Sequence, residues 1–409
     1  MLLLSGEWLG GAKVGKVKEM QQTLRFSGKA VLLSFVVFKT RQTKHDNMLQ
    51  NWLKPLSPAF LKGSDLLGTH TIGKNILLHG AQLPVLRKTR IALVGTSEKE
   101  TAPIRESLYG MAHCFPKDGL ADLGNLRKSD PSVLIPVLTE LLNSHIVPVV
   151  LGGDDSWARA QFLAYPEAKT LANLMVIDER PRIGTPDEAY TALLQPRHPS
   201  LFHFGLIGYQ IHQTPPSALA LLQQYQFEAV RLGRSRTAME ETEPVLRDAD
   251  MLAFHLSALK QSEAPGVLSP SPAGFLLEEA CQLSRYAGLS DKLTSFGIYG
   301  FRPDRDRDQQ TAQAAAQLVW YFADGYFNRK NDYPASKDGL TEYVVEFRKL
   351  NYQLTFWKSV KSGRWWMQVP VAAKRKLERH RLVPCSYQDY QAACREELPE
   401  RLMAALQRF

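Results

Sequence analysis

Six short apolar runs, spaced by helix-length segments, constrain this chain's fold more than any other feature. They lie at residues 90–95, 146–153, 173–178, 201–208, 251–255 and 293–299. Helix-like stretches at 133–142, 156–165, 274–287 and 310–322 lie between or after them. Runs that are apolar throughout, without alternation, read as strands covered on both faces. A β-α-β-α order then implies a parallel sheet with helices on each side. The expected fold is α/β: a three-layer α/β/α sandwich around a mostly parallel sheet of about eight strands. In such sheets the working residues sit beyond the carboxyl ends of the strands. Three polar motifs fall there: Gly152-Gly-Asp-Asp-Ser156, Asp178-Glu-Arg-Pro-Arg182 and His255-Leu-Ser257.

The pattern changes after residue 325. Residues 343–347, 352–357 and 365–369 alternate apolar and polar and are rich in aromatic and β-branched side chains, the signature of an antiparallel meander. A basic run, Lys374-Arg-Lys-Leu-Glu-Arg-His-Arg381, follows and reads as an exposed face, and a last helix is expected over 387–409. The chain thus divides into a basic segment (1–47), a main α/β domain (48–325) and a small C-terminal β/α module (326–409). That module should pack on the main domain, because its aromatic side chains bury roughly 150–250 Å² each when packed.

Charge and cysteine usage exclude several functions. The formal net charge is +9, with eight Lys/Arg against Glu7, Glu19 and Asp46 in residues 1–47. Residues 325–409 hold sixteen basic and nine acidic side chains, and residues 48–324 hold 26 basic and 29 acidic ones. A nucleic-acid binder usually carries its basic surface on the folded domain, so the acidic centre disfavours that partner. Trp365-Trp366, beside Lys358, Lys361 and Arg364, could stack bases, but reads more simply as core of a small sheet. The four cysteines (Cys114, Cys281, Cys385, Cys394) make no Cys-x-x-Cys motif, as befits reduced thiols in a cytoplasmic protein. The apolar run at 30–38 is too short to span a bilayer, which takes about 20 residues. The segment 1–47 reads as disordered, or as upstream of a true start at Met48.

In order and spacing, the strand-end motifs resemble the ureohydrolases: arginase, agmatinase and formimidoylglutamase. The resemblance runs from about residue 90 to 325 and begins with Ala102-Pro-Ile-Arg105 and Ala121-Asp-Leu-Gly124. Gly152-Gly-Asp-Asp-Ser156 stands where the family has Gly-Gly-Asp-His-Ser, and Asp178-Glu-Arg-Pro-Arg182 where it has Asp-Ala-His-x-Asp. Phe254-His-Leu-Ser257 opens the slot of Phe-Asp-x-Asp. The tail, with Arg329-Lys-Asn-Asp-Tyr-Pro334 and Val383-Pro-Cys-Ser-Tyr387, is similar to a formimidoylglutamase-like bacterial subgroup.

That resemblance implies two manganese ions held by two histidines and four aspartates, with a bridging hydroxide as nucleophile. Carried over by position, the ligands become Asp155, Asp178, Arg180, Arg182, His255 and Ser257, and the glutamate that grips substrate becomes Gly300. Guanidinium donates hydrogen bonds and ligates no metal. Arg180 and Arg182 are therefore expected to pair with Asp155 and Asp178 in a salt-bridge cluster that replaces the metals. No cofactor is expected; any single ion would fall to Asp155, Asp178 and His255. The resulting reading is a catalytically silent, homo-oligomeric member that binds a small ligand or a protein partner. Its alternatives are a metal-dependent hydrolase of linear amidines and an RNA-associated protein using its basic tail. Asp304-Arg-Asp-Arg-Asp308, Glu278 and Glu279 read as helix-start residues rather than ligands.

Overall fold

In the computed structural model ten strands build the main sheet: Leu53–Lys54 (β1), Leu77–Leu78 (β2), Ile91–Gly95 (β3), Leu120–Leu126 (β4), Val147–Leu151 (β5), Ala172–Ile177 (β6), Leu201–Tyr209 (β7), Glu228–Arg231 (β8), Met251–His255 (β9) and Ser295–Tyr299 (β10). Residues 49–168, 170–348, 351–370 and 375–408 are described, so the expectations for segment 1–47 and Met48 lie outside them. The order β4-β3-β5-β10-β9-β6-β7-β8 is parallel throughout, with helices on both faces. Six of these eight strands are the six apolar runs, and β4 and β8 complete the expected set of about eight. β2 joins β4 in parallel, and β1 pairs antiparallel at the edge.

β1, β2 and β8 escaped the sequence reading. The first two have two residues each, and β8, Glu-Ala-Val-Arg, is half exposed at the sheet edge, so none carries an apolar run. β4 was visible only as the Asp-Leu-Gly motif, and its Asp122 is now explained. Arg105 donates to both Asp122 oxygens (2.6 and 3.0 Å) and to the Gly124 carbonyl, and Tyr109 adds a bond to Asp122 at 2.9 Å. Both charges are fully buried, so each must be paired to be tolerated there.

Register positions the functional end. Ile298 lies beside Leu151, Tyr299 beside His255, and Ile177 beside Phe254. The carboxyl ends of β5, β10, β9 and β6 therefore finish flush, and Gly152, Gly300, His255 and Asp178 share one edge of the sheet.

The helix Gln310–Phe327 starts as its sequence implies. Asp306 accepts from the amides of Thr311 (2.9 Å) and Ala312 (3.0 Å) with its two oxygens. Asp306→Ala should cost about 1 kcal/mol, the usual worth of such a cap; a thermal melt unchanged by the substitution would refute that role. Glu279 likewise accepts the Leu276 amide at 2.8 Å, at the start of Leu277–Leu289.

The tail forms a second sheet, Leu340–Phe347 (β11), Tyr352–Ser359 (β12), Trp365–Gln368 (β13) and Leu382–Cys385 (β14), antiparallel in that order. Trp365 and Trp366 are buried, 6% and 1% exposed, which removes the base-stacking platform. Two expectations need correction. The last helix is two, Tyr387–Cys394 and Glu400–Leu406, because Pro399 lacks the amide that would continue the first and biases Leu398 away from helical backbone. The described part of the basic run is no free face either. Arg379 pairs with buried Asp250, and His380 is buried against Phe202 with ring centres 4.3 Å apart.

The tail's positive charge is spent on the acidic core. Arg364 meets Glu243 at 3.0 Å, Arg401 meets Glu241 at 3.0 Å, and Arg408 meets Asp248 at 2.9 Å. From the core side, Arg247 donates to the carbonyls of Trp365 and Cys385 and stacks on the Trp366 ring at 4.4 Å. These pairs use part of the tail's positive charge within the chain itself.

Candidate functional site

Asp178 follows β6 directly, and its carboxylate sits at the sheet edge, 0% exposed. The chain then doubles back. Arg182 has a left-handed backbone, φ +49°, which folds its side chain over the carboxylate four residues earlier. Asp155 is the first residue of the helix Asp155–Glu167, which Asp154 caps by accepting from Ser156. The loop before it holds because Glu100 accepts from the Gly153 amide at 2.7 Å. Gly152 and Gly153 both have positive φ (81° and 85°), and a Cβ on Gly152 would meet the Thr96 hydroxyl at 2.7 Å, so glycine is required.

Arg182 is the hub. Its Nη1 donates to Asp155 Oδ2 (2.8 Å), its Nε to Asp178 Oδ2, and its Nη2 to the Ser257 hydroxyl (2.9 Å). Ser257 in turn donates to Asp178 Oδ1 at 2.8 Å, and the Glu179 amide donates to the same oxygen at 2.7 Å. His255 completes the ring: Nδ1 lies 3.4 Å from Asp155 Oδ1 but makes no hydrogen bond, and Nε2 is 2.8 Å from the Tyr190 hydroxyl.

Five of the six sequence-derived positions thus converge, and one does not. Arg180 is exposed and forms no ion pair with either aspartate, contrary to the expected four-membered cluster. Residues 180 and 182 leave the strand end differently: only position 182 takes the turn that points back at Asp178. Arg180 instead lines an open cleft of about 890 Å³ above the hub, with Trp157, Arg159, Glu179, Gln213 and Gly300. Gly300 has φ +88°. A side chain there would sit in the region L residues avoid, so the backbone at this position favours glycine.

Two contributors were missed by sequence. Tyr190 reaches His255 from a loop with no motif to mark it. Glu179 is buried beside Asp178, and only its adjacency to the motif aspartate could have flagged it.

Charge follows this geometry. Burial alone would push the Asp178 carboxyl up, but Arg182, His255 and the Ser257 hydrogen bond outweigh it and hold the group below its ordinary range. Burial likewise works against the Arg182 cation, and the two aspartates more than reverse that, keeping it charged. His255 is pushed below its usual value, first by burial, with Arg182 opposing the pull of Asp178. Glu179 is pushed up, by burial and by Asp178.

The manganese that the resemblance implies does not fit this donor set. Both Asp178 oxygens and Asp155 Oδ2 are engaged by Arg182. Among the described residues no three His, Cys, Asp or Glu side chains are grouped to hold an ion. Two unit charges 4 Å apart interact by about 4 kcal/mol at an effective dielectric near 20, so a dication beside the guanidinium is strongly opposed.

Comparison with known proteins agrees on the architecture. Residues 182–324 match the model of the arginase family. A formimidoylglutamase of Staphylococcus haemolyticus (strain JCSC1435) is 33% identical over 90 residues, which is 22% of this chain and 29% of that protein. That match spans less than a third of the curated relative's length. Among solved structures, Trypanosoma cruzi formiminoglutamase with Mn2+ superposes with a TM-score of 0.54 at 17% identity, covering 60% of this chain and 95% of that one. Formimidoylglutamase from Bacillus subtilis subsp. subtilis str. 168 gives 0.52 at 20% identity, over 59% and 88%. Proclavaminate amidino hydrolase from Streptomyces clavuligerus gives 0.51 at 17% identity, over 59% and 93%. The match over residues 182–324 and the fold of these neighbours together support a ureohydrolase, formimidoylglutamase-like family for this chain.

Proposed function

We propose that this chain is a catalytically silent member of the arginase fold, whose cleft binds a small ligand or a segment of a protein partner. One observation carries the reading: a single guanidinium spans Asp155, Asp178 and Ser257, three positions that correspond to metal ligands. Without a metal-lowered pKa, the attacking water keeps a pKa near its bulk value of about 15.7. Asp178, a weakened base, and His255, closed off between Asp155 and Tyr190, are not placed to replace that function.

The test is direct. Full-length protein, incubated with excess Mn2+ and freed of loose ions, is expected to carry no stoichiometric metal. It should also release no urea, ammonia or formamide from arginine, agmatine or formiminoglutamate. The short formimidoylglutamase match favours a second reading, hydrolysis of a linear amidine. Turnover accompanied by one or two retained ions per chain would put that reading in place of the first. Homo-oligomeric assembly and a cytoplasmic location belong to the proposal too; sedimentation of the full chain tests the former. Among the described residues no helix is long and apolar enough to cross a membrane.

A further inference from the structure

The Arg182 pocket contains an imbalance that ordinary packing does not explain. Asp178 is fully buried, Asp155 is 28% exposed, and His255 is 1% exposed with Nδ1 unpartnered and 3.4 Å from Asp155 Oδ1. Take away Arg182, and two carboxylates and a neutral imidazole remain around one point, with a formal charge of −2. Ser257 Oγ already bonds one of those carboxylates and the guanidinium, so it too faces that point. Carboxylates, imidazole and hydroxyl together are a donor set for a hard or borderline divalent ion. Among the described residues no such group is found with Arg182 in place, where its nitrogens bond both carboxylates.

We infer that Arg182 is a built-in counter-cation occupying a latent single-ion site formed by Asp155, Asp178, His255 and Ser257, so that guanidinium and a divalent ion are mutually exclusive occupants. This rests on the reading that the native pocket excludes metal, and it adds that one side chain is responsible for the exclusion. The neighbouring cations do not share the role. Arg180 makes no ion pair with the aspartates, and Arg302, across the cleft, is paired with Asp304 at 3.3 Å.

The full-length R182A variant tests this by metal binding, independently of any activity. Mn2+ is expected to raise its melting temperature in a concentration-dependent way, and dialysed protein should retain about one ion per chain. Co2+ should give the visible absorption bands of a protein-bound ion. The double variant R182A/D178N should lose both signals. R180A and wild type should show neither. If R182A is unfolded without metal, added Mn2+ should restore its native circular dichroism, since an ion that binds only the folded state shifts the equilibrium toward it. A folded R182A that gains no affinity, or an unfolded one that Mn2+ does not rescue, overturns the inference. So does a signal that survives D178N. Stoichiometric Mn2+ on the wild type is a different failure: it removes the silent reading itself, whatever R182A does.

Discussion

Without added metal, Arg182→Ala should destabilise the protein by about 3–5 kcal/mol, the typical cost of breaking a buried ion pair. Arg180→Ala should stay within about 0.5 kcal/mol of wild type, as exposed substitutions usually do. Arg182 makes four hydrogen bonds to three groups, and its loss would strand Asp178 without a counter-charge in full burial. The Asp155 arm contributes less, because that carboxylate keeps access to water. Arg182→Lys should recover only part of the loss, since an ammonium is a point charge and cannot span two carboxylates and a hydroxyl in one plane. Urea denaturation of the variants side by side reads the difference. Equal stabilities for the 180 and 182 variants would mean that the hub does not hold the pocket together.

The second large effect is a loss of stability on mild acidification, arising at the junction of core and tail. His203 is 1% exposed, and neither ring nitrogen has a partner. Burial pushes its pKa well below the ordinary value, and Arg408, Lys292 and Arg197 add to the effect. His380 lies 3.2 Å from the Lys292 ammonium through Nδ1, which must be the acceptor, and burial followed by Lys292 and Arg379 lowers it in the same way. Asp248, which takes Lys292 at 2.6 Å and Arg408 at 2.9 Å, and Asp250, which takes Arg379, are the facing anions.

Both histidines therefore stay neutral in the folded state while the unfolded chain protonates near pH 6.5. Below that pH the unfolded state binds the extra protons, so stability falls by about 1.4 kcal/mol per pH unit for each ring, or roughly 2.8 for the two. Stability from these groups is complete above pH 6.5 and is lost as pH falls toward their folded-state values. Glu179 and Asp291, both raised by burial, act with the opposite sign at lower pH and blunt the slope there. Denaturation midpoints across pH 8 to 5 provide the measurement, and His203→Leu should flatten the curve by about half. A flat profile for the wild type would show that these rings titrate normally.

Much of the fold was legible because the signals involved are local. An apolar run covered on both faces is recorded in consecutive residues, and all six runs form strands of the main sheet. The Asp306 cap and the Glu279 helix start are legible for the same reason, since each acts within a few residues of itself. So is the order of the strand-end motifs, which parallel topology brings to one edge. The breaks came where a local pattern is silent: two-residue edge strands, a last helix divided at Pro399, and a basic run that reads as solvated until Asp250 is set opposite Arg379.

The candidate site divides in the same way. By itself, the sequence determined that Asp155, Asp178, His255 and Ser257 stand at strand ends, and that two arginines lie among positions resembling metal ligands. Only the tertiary structure decided which arginine matters. Residues 180 and 182 are equivalent as charges, and the choice rests on a left-handed backbone at 182 that returns its side chain to Asp178 and on toward Asp155, 27 residues away in sequence. The tail's charge was decided likewise. Its excess of arginine is plain in the sequence, but partners 121 to 160 residues away, Glu243 for Arg364 and Asp248 for Arg408, are found only by folding. Charge is a property of composition, whereas pairing depends on distance in space, and that distance is set by the packed sheet and the module docked against it.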